Sequence, residues 1–249
     1  MPQSNYDRVA SVYDAGRAVS LAGLQGWHAI LTHYVPSETG APILDLGAGT
    51  GLFARAFVTW FNAHVVAVEP SENMRSEAIR QRSHPHISYL AGDAEHLPLD
   101  DSSMGTAWLS TVLHHIPDLS RCARELRRVL QPGAPVLIRG AFPERLDTIT
   151  LFRYFPAARR VAESFPTIDA TADAFATAGF HMESVESVPQ ETAGTLAEFY
   201  GRVRLRADTT LQGIDDDQFQ RGLETLKDAL QEESNNRPVI DELTLLILR

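Results

Sequence analysis

Residues 43–51 read Ile43-Leu44-Asp45-Leu46-Gly47-Ala48-Gly49-Thr50-Gly51, and Leu52–Phe61 follow with helix-like spacing. A short apolar run that passes through three alternate glycines into a helix reads as strand, tight turn and helix N-terminus. Glycines let the backbone turn sharply and come close to a ligand. The first N–H groups of the helix and the positive end of its dipole suit a carboxylate or a phosphate. A turn that binds nothing accounts poorly for three glycines so placed. The spacing also separates cofactor classes. A dinucleotide fold wants Gly-x-Gly-x-x-Gly, whereas this turn is Gly-x-Gly-x-Gly with Asp45 just ahead of it. A buried acid there repels a pyrophosphate and can accept a hydrogen bond from an ammonium group. The pattern therefore favours a cofactor bearing an amino acid over the NAD(P) of an oxidoreductase.

The next apolar run, His64–Glu69, ends in an acid followed by Pro70. An acid at the end of the second strand can grip both hydroxyls of a ribose. The third run, Ile87–Leu90, leads to Gly92-Asp93-Ala94, where Asp93 can take a hydrogen bond from an adenine amino group. Read alone, Asp93 is equally well a turn aspartate beside a glycine. Two further runs, Thr106–Leu109 and Val136–Ile138, alternate with helix-like stretches such as the stripe Leu119, Cys122, Leu126 and Val129. Strands alternating with helices predict an α/β fold with a mostly parallel sheet.

Beyond residue 141 the pattern changes. An aromatic cluster, Phe142, Phe152, Tyr154, Phe155 and Phe165, precedes a helix-like 169–178, a strand-like 180–188, helices over 196–206 and 215–233, and a strand at Val239–Leu248. Ahead of the first strand, Leu21, Leu24 and Leu31 suggest an amphipathic helix. The reading is one structural domain: an N-terminal helical lid (1–40), a cofactor-binding core (41–141), and the remainder of the sheet with substrate-cap insertions (142–249).

These motifs together resemble the class I, Rossmann-like methyltransferases that use S-adenosylmethionine, nearest the small-molecule branch related to ubiquinone and menaquinone methyltransferases. The matching segments are Tyr6–Asp14, Ile43–Gly51, Val66–Ser71, Gly92–Leu97, Trp108–Ile116 and Glu125–Ile138. The resemblance implies a seven-stranded sheet with helices on both faces. It implies that Gly47, Gly49 and Gly51 line the methionine end, Glu69 binds the ribose, and Asp93 and Ala94 hold the adenine. Pro70 and Met74 would pack nearby, and Tyr13 and Arg17 would help close the site. S-adenosylhomocysteine would be the product, and a small molecule, in keeping with specialised metabolism, the acceptor.

The fourth strand runs into Ser110-Thr111-Val112-Leu113-His114-His115. Chemistry in an open α/β sheet lies beyond the carboxyl ends of the strands, so Ser110, His114 and His115 are expected near the transferred methyl. A neutral histidine can take a proton from an acceptor at pH 7, and packing is the alternative role for both. His28, His33 and His181 are read as surface or core residues. Phe152, Tyr154 and Phe155 are the candidate acceptor-binding aromatics, the alternative being that they only pack the cap.

Absences narrow the chemistry. No Asn-Pro-Pro-Tyr or Asp-Pro-Pro-Tyr closes the fourth strand, which reads against methylation of nucleic-acid amines or glutamine. Cys122 falls on a helical stripe and is expected in the core, and no metal-ligand set is evident. A net charge of −10 over 249 residues argues against nucleic acid and anionic membranes as partners. The N-terminus has no secretory pattern, no run approaches a membrane span, and the single cysteine suits a cytoplasmic location. A homodimer is left open. So is a protein that binds S-adenosylmethionine without methylating, as a cyclase or a partner protein.

Overall fold

The computed structural model describes residues 16, 19, 23–35, 40–232 and 237–249. Its centre is a seven-stranded sheet. The strands are β1 (Ile43–Leu46), β2 (Val65–Val68), β3 (Ile87–Leu90), β4 (Thr106–Ser110), β5 (Val136–Gly140), β6 (Met182–Ala193) and β7 (Val239–Leu248). They lie in the order β3-β2-β1-β4-β5-β7-β6, the first five parallel and β7 antiparallel to both neighbours. The order reverses between β1 and β4, so a crevice opens beyond their carboxyl ends, where such sheets hold ligands. β1 is buried along its whole length, as a strand covered on both faces must be. β6 is an edge strand, and so it tolerates Pro189, which has no N–H to donate.

The helices are α1 (Gln25–Leu31), α2 (Leu52–Phe61), α3 (Glu72–Arg82), α4 (Leu119–Val129), α5 (Thr150–Tyr154), α6 (Pro156–Ala162), α7 (Ile168–Ala176), α8 (Leu196–Val203), α9 (Thr209–Gln212) and α10 (Asp216–Glu232). Short polar side chains start several of them. Ser71 accepts from Met74 N, Asp118 from Arg121 N, Thr167 from Ala170 N and Thr195 from Glu198 N. On one face of the sheet, Cys122, Leu126 and Val129 of α4 and Phe175 of α7 pack against Leu44, Leu109 and Ile138. On the other, Trp27 of α1 and Phe53 and Phe57 of α2 enclose Trp108, with Trp27 meeting it edge-on at 5.7 Å. A third cluster belongs to the cap: Phe152, Tyr154, Phe155, Phe199, Leu211, Phe219 and Leu226 are buried together.

Several segments differ from the sequence expectation. The helix expected over 196–206 stops at Val203, because Arg206 takes a left-handed conformation (φ 49°) that turns the chain into α9. The strand expected over 180–188 continues to Ala193, with register shifts near both ends. The aromatic stretch 142–165 forms a 3-10 turn (Pro143–Thr148) and two short helices. They part at Phe155, which precedes Pro156 and is thereby pushed away from helical geometry (φ −122°, ψ 73°). Leu24 and Leu31 are buried around α1 as expected of the N-terminal helix, while Tyr13, Arg17 and Leu21 lie outside the described residues.

Candidate active site

Each glycine of the turn after β1 has a left-handed φ, but their surroundings differ. At Gly49 (φ 55°) nothing lies within 4 Å of the place a Cβ would occupy, which leaves an open backbone cradle. At Gly51 (φ 80°) a Cβ would stand 2.5 Å from the Tyr89 hydroxyl. Gly51 is the N-cap of α2, with the side where a Cβ would stand packed on Tyr89.

Asp45 and Glu69 are the acids of this region. Asp45 is 2% exposed, its Oδ2 has no hydrogen-bond partner among the described residues, and burial, reinforced by the charge of Glu69, pushes its pKa up to about 7. Glu69 accepts from the N–H groups of Gly49 (2.9 Å) and Ser71 (2.9 Å). Burial raises its pKa, and those two bonds, with Arg75 nearby, oppose the rise. Glu69 thus ties the end of β2 to the glycine turn. Pro70 is exposed and Met74 buried on the segment that opens α3. Asp93 is exposed and uses Oδ1 to hold the N–H groups of Glu95 and His96, beside a half-buried Ala94. Glu69, Pro70, Met74, Asp93 and Ala94 do not line the cavity beside the glycine turn, and lie past the ends of β2 and β3.

That cavity, about 280 Å³, runs from the glycine turn to the cap. Asp45, Gly47 and Gly49 line one end; Phe142, Phe152, Phe165, Phe199 and Leu211 line the other. Ser110, Thr111, Arg139, Gln190, Thr192 and Asp241 supply polar groups between them. Thr111 is β-branched yet has φ 56°, a conformation that persists only where its surroundings enforce it. Its N–H donates to the Arg139 carbonyl (2.8 Å). The Arg139 guanidinium is 8% exposed and donates to Ser110 Oγ (3.0 Å), Thr111 Oγ1 (3.4 Å) and Gln190 Oε1 (2.6 Å).

His114 lines the cavity, its ring stacked on Phe165 at 4.1 Å with 7° between planes. His115 packs on His114 at 3.9 Å and faces away from the cavity. Of the three cap aromatics singled out in the sequence, Phe152 alone faces the cavity. Tyr154 and Phe155 are corrected to core positions: both are buried in the cap cluster, and Phe155 packs on Phe219 at 5.9 Å. Arg139, Gln190 and Thr111 escaped the sequence reading. The one available signal was Arg139 itself, a charge closing the apolar run Val136–Ile138. Cys122 is a buried thiol in the core, its pKa pushed up to about 12 by burial, as its helical stripe implied.

Sheet order, glycine turn and the acid closing β2 define a Rossmann-like fold of the class I methyltransferase kind. Residues 44–138 match the family described as a methyltransferase domain. The demethylmenaquinone methyltransferase of Clavibacter sepedonicus is 34% identical over 135 residues, 53% of this chain and 55% of that protein. The chain spans little more than half the length of such curated relatives. Among solved structures, a putative methyltransferase from an antibiotic biosynthesis pathway of Anabaena variabilis superposes with TM-score 0.69 at 22% identity, covering 90% of this chain and 96% of that one. The [4+2]-cyclase SpnF superposes with TM-score 0.64 at 18% identity, covering 99% and 93%.

Proposed function

We propose that this chain transfers a methyl group from S-adenosylmethionine to a small, partly apolar acceptor of specialised metabolism. The observation that carries the proposal is a cavity that joins the glycine turn to an aromatic chamber under the cap. The residues fit the cofactor. The unpartnered Oδ2 of Asp45 suits an ammonium group, and the open cradle at Gly49 suits the close approach of a carboxylate. Glu69 would receive the ribose hydroxyls and Asp93 with Ala94 the adenine, flanked by Pro70 and Met74. Tyr13 and Arg17 remain expected closing residues.

When bound, S-adenosylmethionine supplies a methyl carbon on a sulfonium. The acceptor's electron pair forms the new bond to that carbon as the carbon–sulfur bond breaks, and the sulfur keeps the electron pair. The protein's own part is geometric: it holds the acceptor in line and excludes water, effects that together contribute about 7–11 kcal/mol. His114 lies at the cavity wall, with His115 packed on it, and in this reading would take the acceptor's proton. Ser110 lines the same wall. The reading takes the enzyme as cytoplasmic and leaves self-association to a measurement of mass in solution.

A second reading has a specific observation in its favour: SpnF shares nearly the whole fold and is named a cyclase. One experiment separates the two. The protein is incubated with labelled S-adenosylmethionine and a panel of aromatic and polyketide-like acceptors. Release of S-adenosylhomocysteine with a methylated product supports transfer. Tight cofactor binding with the substrate rearranged and the cofactor unconsumed supports the cyclase reading and overturns ours. In the same assay Glu69→Ala is expected to weaken cofactor binding by about 1.5–3 kcal/mol, as for a lost hydrogen bond to a charged group.

A further inference from the structure

Gln190 lies on β6 opposite Asp241, is 4% exposed, and lines the cavity. Its Oε1 accepts two hydrogen bonds, from Trp27 Nε1 (3.0 Å) and from Arg139 Nη2 (2.6 Å). Indole and guanidinium can only donate, so the amide cannot be turned round: oxygen faces them and the NH2 faces the other way. Among the described residues that NH2 has no hydrogen-bond partner, and Gln190 lines the cavity. The site therefore holds a fixed donor, oriented by two buried anchors and left for an occupant. Beside it the Arg139 guanidinium is braced by Ser110 and Thr111 and by the rings of Trp27 (5.1 Å) and Phe53 (5.4 Å). Donor and positive charge sit side by side, next to the residues that close β4.

We propose that Gln190, with Arg139 behind it, reads a carbonyl or carboxylate oxygen conjugated to the ring of the methyl acceptor. This rests on the methyl-transfer reading and deepens it. A polar group held this way rejects an analogue that lacks the matching oxygen, because the buried donor is then left unmet. The nearby positive charge also draws electron density through the conjugated system. An adjacent hydroxyl or carbon is thereby acidified and gives up its proton to a weak base. The apolar wall takes the ring, Gln190 sets its direction, and His114 receives the proton.

The test uses three probes of one shape, benzoate, acetophenone and α-methylstyrene, which present a carboxylate, a carbonyl and a methylene at the same place. Their affinities for the full chain loaded with S-adenosylhomocysteine are measured by ligand-detected NMR. Benzoate and acetophenone are expected to bind more tightly than α-methylstyrene, benzoate by at least tenfold. Gln190→Glu keeps an oxygen for Trp27 and Arg139, preserving the fold, but replaces the donor by a second acceptor. It is expected to erase the preference and to weaken benzoate at least tenfold, with S-adenosylhomocysteine affinity unchanged. Equal affinity for the three probes, binding of none of them, or an undiminished preference in Gln190→Glu overturns the proposal. If Gln190→Glu does not fold, the wild-type ranking alone decides. Failure to bind S-adenosylhomocysteine would instead defeat the methyl-transfer reading, so the two failures are distinguishable.

Discussion

Asp45 is a carboxylate kept from water, and its raised pKa has two consequences of known sign. Unfolded, it ionises near 3.8; folded, it holds its proton to about pH 7. The unfolded chain therefore binds fewer protons in that window. Asp45 makes the protein without cofactor less stable as pH rises from 4 to 7, by roughly 4 kcal/mol at most at 1.36 kcal/mol per pKa unit. Denaturant titrations of wild type and Asp45→Asn should diverge across this window, with the variant gaining. Parallel curves would remove Asp45 as the cause. The second consequence concerns the cofactor, whose ammonium group wants the ionised form. S-adenosylhomocysteine affinity should rise between pH 6 and 7.5 in wild type and stay flat in the variant, read by calorimetry. Thr111 makes a different residue-scale case. Its positive φ costs on the order of 1–3 kcal/mol. Thr111→Gly should relieve part of that, raising the melting temperature while lowering turnover. A variant that is less stable than wild type would show the strain to be illusory.

At the scale of elements, α10 carries Gly222 on the side facing the cap, where a Cβ would overlap the Phe155 ring. A glycine inside a helix usually costs about 1 kcal/mol relative to alanine. Here the sign should reverse: Gly222→Ala is expected to destabilise by about 1–3 kcal/mol through overpacking. A higher melting temperature in the variant would mean that Phe155 moves cheaply. Elements also mark where the sequence could be read. The stripe Leu119, Cys122, Leu126 and Val129 and the runs of β1, β3 and β7 are long or apolar enough to announce themselves. Helices α5 and α9 span five and four residues, too few to show a helical period. β6 outran its expected end because Pro189 and Gln190 look nothing like a strand core. The link between Arg139 and Gln190 bridges 51 positions, and no local pattern carries that. The glycine turn and its acids were legible because one short segment holds them. The wall proposed for the acceptor was not, because β4, β5, β6 and β7 each supply one or two side chains to it.

For the whole molecule, the sheet divides the labour. β1 to β3 present the groups expected to hold the cofactor, and β4 to β7 with the cap build the side proposed to take the acceptor. A ligand that binds only the folded state stabilises it by mass action. S-adenosylhomocysteine at a hundred times its Kd should add about 2.7 kcal/mol. That corresponds to roughly 5–10 °C in melting temperature for a chain of this size. Phe152→Ala, placed on the acceptor side, should lower the starting temperature and keep the increment. Loss of the increment would mean that the two halves share one binding site. The position of β7 bears on how the molecule is made. It is the last strand in the sequence, yet it lies inside the sheet, pairing with β5 on one side and β6 on the other. A nascent chain on the ribosome that has emerged only to residue 238 can already pair β1 to β5. It then carries β5 as an open edge and β6 as a strand with no neighbour. Unpaired edges of this kind recruit other chains. The part that resembles known methyltransferases can thus take shape first, while the wall proposed to take the acceptor closes only when β7 slides between β5 and β6.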